Sequence, residues 1–134
     1  MGVTYLLDTH VLLWLWGDPG RIAPGVRKAL GDPKNHLLVS AASAMEVSTK
    51  TRRGKLELGH ALASTWAARV AEIAAEELQI TSAHALLAGS MRWSHRDPFD
   101  RLLVAQALTE GVPLVSVDPA MVGVPALQVI DPRS

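Results

Sequence analysis

Four acidic residues stand in this sequence where carboxylates could act together. Asp8 follows the apolar run VTYLL, Asp118 follows VPLVSV, Glu46 lies in SAMEV, and Asp100 lies in HRDPFDRLLVAQAL. Clustered carboxylates repel one another and raise each other's pKa unless a cation lies among them. Mg²⁺ and Mn²⁺ are hard ions that a few carboxylates and water commonly hold. The residue types therefore favour a divalent metal site, provided that the fold brings the acids together.

Each acid also has a purely structural explanation. In DPFD, Asp97 fits a helix N-cap, followed by Pro98 at the first helical position. The other structural explanations are a helix cap for Asp8, a capping box at residues 43–46, the third helical position for Asp100 and a turn-opening position for Asp118. Each is the commoner use of such a residue, but together they do not explain why two apolar strands both end in Asp.

The hydrophobic pattern predicts strands that alternate with helices. Strands are predicted at VTYLLD, HLLVS, LQIT, VPLVSVD and ALQVI, the last at an edge. Helices are predicted at THVLLWLW, PGVRKAL, AASAMEVSTKTRR, HALASTWAARVAEIAAEEL, SAHALLAGSMRW and PFDRLLVAQALTE, which ends at Gly111. This order is typical of an α/β fold with a central, mostly parallel sheet and helices on both faces. The 134 residues, without repeat or linker, predict one domain.

The predicted topology decides which acids can meet. In open α/β sheets, ligands bind outside the carboxyl ends of the strands. Asp8 and Asp118 both end strands, and Glu46 lies in the helix after HLLVS, so these three are expected at one edge. The helix of Asp100 runs into a strand, so its start is expected at the opposite edge unless SMRWSHRDPFD brings it round.

Composition and missing motifs exclude several classes of protein. Thirteen basic residues balance thirteen acidic ones, which argues against a uniformly basic nucleic-acid binder. Cysteine is absent, so thiol chemistry is excluded, and a reducing cytoplasm is the expected location. The first residues lack a basic segment, and Asp8 interrupts their apolar run, so neither a signal peptide nor a membrane helix is expected. The sequence has no H-E-x-x-H, P-loop or G-x-S-x-G motif, and no Lys after Lys55 for a receiver domain.

Five segments resemble, in order and spacing, those of PIN-domain ribonucleases, and more narrowly those of VapC-type toxins of bacterial toxin–antitoxin pairs. They are YLLDTHVLLWL, VSAASAMEV, RRGKLEL, HRDPFDRLLVAQAL and LVSVD. The resemblance covers nearly the whole chain, and HRDPFDRLLVAQA is its most specific part. It implies a single PIN domain over residues 1–134, built as a three-layer sandwich.

The resemblance also implies a function and a site. The family's activity is metal-dependent hydrolysis of RNA phosphodiester bonds, with Mg²⁺ or Mn²⁺ as the cofactor. By motif match, Asp8, Glu46, Asp100 and Asp118 correspond to the four family acids, which meet in one catalytic and metal-binding cluster. Asp97 is expected mainly to cap its helix, with a secondary role at the site, and Thr9 to hydrogen-bond a carboxylate or a metal-bound water.

The partners implied by the resemblance are an RNA substrate and a VapB-like antitoxin, with a homodimer or a toxin–antitoxin hetero-oligomer as the assembly and no membrane. Basic residues near the motifs are candidates for phosphate contacts: Lys50, Arg52, Arg53, Arg92, Arg96 and Arg101. Two alternatives stay open, namely a different metal-dependent phosphohydrolase and a non-enzymatic interaction module of PIN fold.

Overall fold

Strands and helices alternate along residues 2–134, the part of the chain that the computed structural model describes. The strands are β1 (Thr4–Leu7), β2 (His36–Ser40), β3 (Ala75–Leu78), β4 (Leu114–Val115) and β5 (Val129–Ile130). The helices are α1 (Thr9–Gly17), α2 (Pro24–Gly31), α3 (Ala41–Arg52), α4 (Gly59–Ser64), α5 (Trp66–Glu72), α6 (Ser82–Ser90) and α7 (Pro98–Glu110). Within residues 2–134, no helix is both long and apolar enough to cross a membrane.

The five strands form one sheet in the order β3-β2-β1-β4-β5, and every neighbouring pair is parallel. The chain first builds outward from β1 through β2 to β3, and then crosses back to add β4 on the other side of β1. The boundary between β1 and β4 is therefore the switch point of the sheet, where the two crossover directions leave a crevice. The predicted parallel α/β sheet is confirmed.

Helices cover both faces of the sheet, because alternate side chains of the strands point to opposite sides. Leu7, Val39 and Val115 face one core, with apolar residues of α1, α2 and α5. Leu6 and Leu114 face the other, with Leu103, Val104 and Ala107 of α7. The central strand β1 thus contributes fully buried side chains to both cores, and the predicted three-layer sandwich is confirmed.

The connection from α6 to α7 explains where Asp100 lies. The segment 91–97 has no regular secondary structure and carries the chain from the end of α6 to the start of α7. Since α7 enters β4 through a short turn at Gly111, with φ 66°, it runs antiparallel to that strand. Its first turn therefore lies at the carboxyl edge of the sheet. The default expectation that Asp100 starts at the opposite edge is wrong.

A second prediction is also wrong, since residues 60–78 do not form one helix. The chain breaks at Thr65 between α4 and α5, and the positive φ of 53° at Ala74 ends the helical part. The residues that follow pair with β2 as the strand β3. The sequence pattern predicts this strand at LQIT, residues 78–81, but β3 begins three residues earlier, at Ala75.

Candidate functional site

A cleft of about 350 Å³ lies outside the carboxyl ends of β1 and β4. We call it the acidic cleft; its lining residues are Asp8, His10, Glu46, Lys50, Asp97, Asp100, Val117, Asp118 and Pro119. The structure thus brings to one cleft all four acids that the sequence singles out. A larger cleft of about 550 Å³ adjoins it on the β5 side and shares only Asp118 among the four acids.

Asp8 follows β1 directly and is almost completely buried. Its backbone N–H donates to the Val115 carbonyl, which joins the ends of β1 and β4. It occupies the N-cap position of α1, but its side chain makes no capping hydrogen bond. Instead its Oδ2 accepts a hydrogen bond of 2.6 Å from the Ser116 hydroxyl. The capping explanation therefore does not hold for Asp8.

The charge of Asp8 is costly in this position. Burial raises the pKa of Asp8 above its ordinary value, while the hydroxyl of Ser116 and the backbone N–H of Thr9 lower it. The negative charge of Glu46 raises the pKa further, and His10 counteracts it. The balance is upward, so the folded protein holds a carboxyl group here whose ionised form lacks sufficient compensation.

Glu46 is held by two side chains inside the fold. Its Oε1 accepts a hydrogen bond of 2.7 Å from the Thr9 hydroxyl, and its Oε2 lies 2.7 Å from Nζ of Lys50, one turn along α3. The helix begins at Ala41 with Ser40 as its N-cap. Residues 43–46 therefore lie inside the helix, and the capping-box interpretation is wrong. The contact expected between Thr9 and a carboxylate is present.

Asp97 and Asp100 divide two tasks within one turn of α7. The Oδ1 of Asp97 accepts from the backbone N–H groups of Phe99 and Asp100, at 2.9 and 3.2 Å, so the predicted N-cap is confirmed. The Oδ2 of Asp100 instead lies 2.6 Å from Nε2 of His95. Burial raises the pKa of Asp100 to about 6, the bond with His95 opposes this, and the charges of Asp97 and Asp8 add to it.

Asp118 combines a structural contact with a place in the acidic cleft. Its Oδ1 accepts from the Ala120 N–H at 2.9 Å and caps the short 3₁₀ helix Pro119–Met121, as the turn interpretation predicts. Its own N–H donates to the Ser116 hydroxyl oxygen, the same group that donates to Asp8. Ser116 therefore connects the ends of β1 and β4 through two acids.

The tightest group of possible cation ligands is not identical to the four acids. One ligand atom from each of His95, Asp100 and Asp118 lies within 4.8 Å of the other two. Asp8 and Glu46 line the same cleft but do not belong to this group. The sequence pattern does not single out His95; the available signal is its place five residues before Asp100, on the segment that leads into α7.

Arg101 has a different role from the phosphate contact considered for it. Its guanidinium donates to the backbone carbonyls of Ala88, Met91, Trp93 and His95, at distances of 2.7 to 2.9 Å. These contacts tie the end of α6 and the segment 91–97 to α7. Among the other basic candidates, Lys50 lines the acidic cleft, whereas Arg92 and Arg96 are exposed on the connecting segment.

Comparison with known proteins gives one family match and one curated relative. Residues 5–127 match the PIN domain family. The sequence is 31% identical over 116 residues to Ribonuclease VapC22 of Mycobacterium tuberculosis, a similarity that covers 86% of this chain and 87% of that protein. All four acids of the cleft lie within the matched family region.

Solved structures share the fold at low sequence identity. VapBC2 from Rickettsia felis, bound to a DNA fragment from its promoter, superposes with a TM-score of 0.70 at 15% identity, over 96% of this chain and 98% of that one. VapBC-1 from nontypeable Haemophilus influenzae gives a TM-score of 0.62 at 17% identity, over 96% and 98% of the two chains. At these identities the likeness concerns the fold alone.

Proposed function

Because this chain belongs to the PIN domain family, we propose that it is a metal-dependent endoribonuclease and the toxin of a VapBC-type toxin–antitoxin pair. Its reaction would be the hydrolysis of RNA phosphodiester bonds in the acidic cleft. The curated relative is named a ribonuclease, and that activity is carried over here on the family relationship together with the chemistry of the cleft.

The observation that supports this proposal most is the convergence of the four acids. They come from the end of β1, the interior of α3, the start of α7 and the loop after β4, and line a cleft of about 350 Å³. Two of them, Asp8 and Asp100, have raised pKa values. A fold that only needed helix caps would have no reason to collect poorly compensated carboxylates at its switch point.

The donor set fits a hard divalent cation. Lys50 forms an ion pair with Glu46 and compensates its charge. Among the residues that the structure describes, Asp100 has no such partner and contacts only the ring of His95. Asp8 accepts hydrogen bonds only from a hydroxyl group and a backbone N–H. Oxygen ligands of this kind suit Mg²⁺ or Mn²⁺. When bound, such an ion polarises a phosphoryl oxygen and lowers the pKa of water.

The roles of the side chains follow from their surroundings. Asp8 and Asp100 would be direct ligands, with Asp118 beside Asp100 completing the set. Glu46, fixed by Thr9 and Lys50, would complete the ligand set or accept a hydrogen bond from the attacking water. Ser116 would orient Asp8, and Asp97 would serve mainly as the cap that sets the first turn of α7.

RNA would approach this site along exposed basic residues. Arg92 and Arg96 are exposed on the segment 91–97, whose last residue, Asp97, lines the acidic cleft, so they are suited to phosphate contacts. Arg52 and Arg53 are exposed at the carboxyl end of α3 and do not line the cleft. The proposed assembly is a homodimer inhibited by a VapB-like antitoxin, or a hetero-oligomer of both. An enzyme that acts on cellular RNA under such control would work in the cytoplasm.

The first prediction tests the acids. Asp8→Asn and Asp100→Asn each remove a ligand charge with little change in volume, so cleavage of RNA by the purified protein with Mg²⁺ or Mn²⁺ should fall by more than about 100-fold. Even partners outside the ligand set cost about 10–100-fold in comparable metal sites. Gel analysis and sequencing of the RNA ends would give both the rate and the cleavage position.

Asp18→Asn is the matched control, because Asp18 pairs with Arg21 on the surface and does not line the acidic cleft. It should leave the cleavage rate unchanged. Full activity in both cleft variants would contradict the metal-dependent mechanism. Wild-type protein that cleaves no RNA with any divalent ion would favour the non-enzymatic alternative.

A further inference from the structure

The ring of His95 lies so close to the carboxylate of Asp100 that both side chains could bind the same cation. Its Nε2 is 2.6 Å from Oδ2 of Asp100, and both belong with Asp118 to the group whose ligand atoms lie within 4.8 Å of one another. Neighbouring ligands of an octahedral ion with bonds of about 2.1 Å lie about 3 Å apart. A shift of a few tenths of an ångström would therefore let both atoms bind one ion.

The ring is also held in place before any ion arrives. It stacks on Trp93 with 4.7 Å between the ring centroids and 27° between the planes. The backbone carbonyls of Trp93 and His95 both accept from Nη1 of Arg101, at 2.7 and 2.9 Å. A ligand whose backbone and ring are both fixed loses little conformational entropy when it binds.

We propose that His95 supplies a nitrogen ligand to the cation of the acidic cleft and thereby shifts the preference of the site from Mg²⁺ toward first-row transition ions such as Mn²⁺ and Co²⁺. The inference rests on the proposed function, because it assumes that the acids hold a cation there. Mg²⁺ binds through oxygen, whereas an imidazole nitrogen increases affinity along the series from Mn²⁺ to Co²⁺ and beyond.

A different role for His95 has a different consequence. If the ring only orients Asp100 through a hydrogen bond, its nitrogen stays bonded to hydrogen while the ion is bound, as in outer partners of many metal sites. The ion is then coordinated by oxygen atoms alone. The two roles therefore differ in whether a ring nitrogen is bonded directly to the ion.

Pulsed electron paramagnetic resonance with Mn²⁺ as the probe measures this directly, because a bound nitrogen modulates the electron-spin echo. Wild-type protein loaded with Mn²⁺ at pH 8 should show the modulation of a directly bound nitrogen, and His95→Gln, which offers an amide oxygen instead, should lose it. In calorimetric titrations, the ratio of Co²⁺ to Mg²⁺ affinity should fall roughly tenfold in His95→Gln.

His10→Gln is the matched control, since His10 lines the same cleft but lies outside the group of close ligand atoms. It should keep both the nitrogen signal and the affinity ratio. Mn²⁺ that binds the wild type without a nitrogen signal, or with one that survives in His95→Gln, would overturn the role of His95 and leave the proposed function intact. Wild-type protein whose cation binding is as weak as that of Asp100→Asn would overturn both.

Discussion

Individual acids in this protein can have a structural role and line the acidic cleft at once. Asp118 caps a 3₁₀ helix with one oxygen and takes part in the group of close ligand atoms. Asp8 occupies a cap position without a capping bond, because its carboxylate turns to Ser116. The position of an acid at a helix start therefore does not reveal its role; the partner of its side chain does.

Two substitutions of Asp97 distinguish the effect of its charge from the effect of its capping hydrogen bonds on stability. Asp97→Asn keeps an oxygen that accepts from the N–H groups of Phe99 and Asp100, so the free energy of unfolding should change little. Asp97→Ala removes the acceptor and should lower the free energy of unfolding by about 0.5–2 kcal/mol. Denaturant unfolding of both variants measures the difference.

RNA cleavage is the second measurement on the same two variants. Asp97→Asn should retain most of the rate, because Asp97 is assigned mainly to the cap. A rate as low as that of Asp100→Asn, in a variant with unchanged stability, would instead make Asp97 part of the reacting site. Equal loss of stability in Asp97→Asn and Asp97→Ala would show that the charge of Asp97, and not its capping oxygen, stabilises the start of α7.

At the scale of the helices and their connections, one side chain holds the segment between α6 and α7 in place. Arg101 gives four hydrogen bonds to carbonyls spread from Ala88 to His95. Those carbonyls lie at the end of a helix and in an irregular segment, where backbone partners are scarce. The fixed geometry of the guanidinium suits this task better than an ammonium group does.

Arg101→Lys should therefore loosen the segment 91–97. Lysine cannot reach four carbonyls at once, so some stay unpaired, and the free energy of unfolding should fall by about 1–3 kcal/mol. Hydrogen exchange should speed up at the amides of residues 91–97 more than elsewhere. The control is Arg96→Lys, on the exposed side of the same segment; equal behaviour of the two variants would contradict the role given to Arg101.

The hydrophobic pattern predicts most helices and strands, because their apolar residues are buried and their capping residues lie at the helix starts. VTYLL and HLLVS are buried parallel strands and are accordingly apolar, and DPFD sets the start of α7 by its own cap. The strand AEEL could not be predicted in this way. It lies at the edge of the sheet, where exposed Glu76 and Glu77 protect against unwanted pairing, yet these residues favour a helix in isolation.

The sequence predicts that the four acids line one cleft, but it predicts only part of their geometry. That Asp8 and Asp118 share an edge follows from parallel strands alone. The edge on which Asp100 lies also follows from the order of elements, because α7 enters β4 through a short turn and runs antiparallel to it. The distance of Asp100 from the other acids depends in addition on the path of residues 91–97, which contacts of Arg101 with backbone carbonyls hold in place and which has no sequence signature. The same limit applies to the pairing of His95 with Asp100, because it requires knowledge of that path.

For the whole molecule, a polar network links the sheet to the helices behind the cleft. The hydroxyl of Ser40, at the end of β2, donates to the side chain of the fully buried Gln106 in α7. The Gln106 amide donates to the Gln79 carbonyl just after β3. These bonds hold α7 against the sheet, so Asp100 at its first turn stays close to the carboxylates that the strands and α3 bring to the cleft.

The raised pKa values of Asp8 and Asp100 therefore predict how stability depends on pH without a cation. An acid whose pKa is higher in the folded state stabilises the fold while it is protonated, and this contribution is lost as the pH rises. For Asp100 the window runs from its ordinary value of 3.8 to about 6. With chelator present, the parent should lose free energy of unfolding across this window relative to the double variant Asp8→Asn/Asp100→Asn. The difference should be about 1–2 kcal/mol, which allows for partial screening by solvent.

A cation should reverse this loss above the window. At pH 7.5, Mn²⁺ that binds only the folded state should raise the melting temperature of the parent. At a Mn²⁺ concentration of one hundred times the dissociation constant, the free energy of unfolding should increase by about 2.7 kcal/mol. The double variant should respond little, because it lacks two of the charges. Thermal melts of both proteins across pH 4–8, with chelator and with Mn²⁺ at matched ionic strength, test the two effects together. If parent and double variant show the same pH dependence and neither responds to Mn²⁺, the carboxylates of the acidic cleft are not repelling one another, and the physical argument for a metal site there is lost.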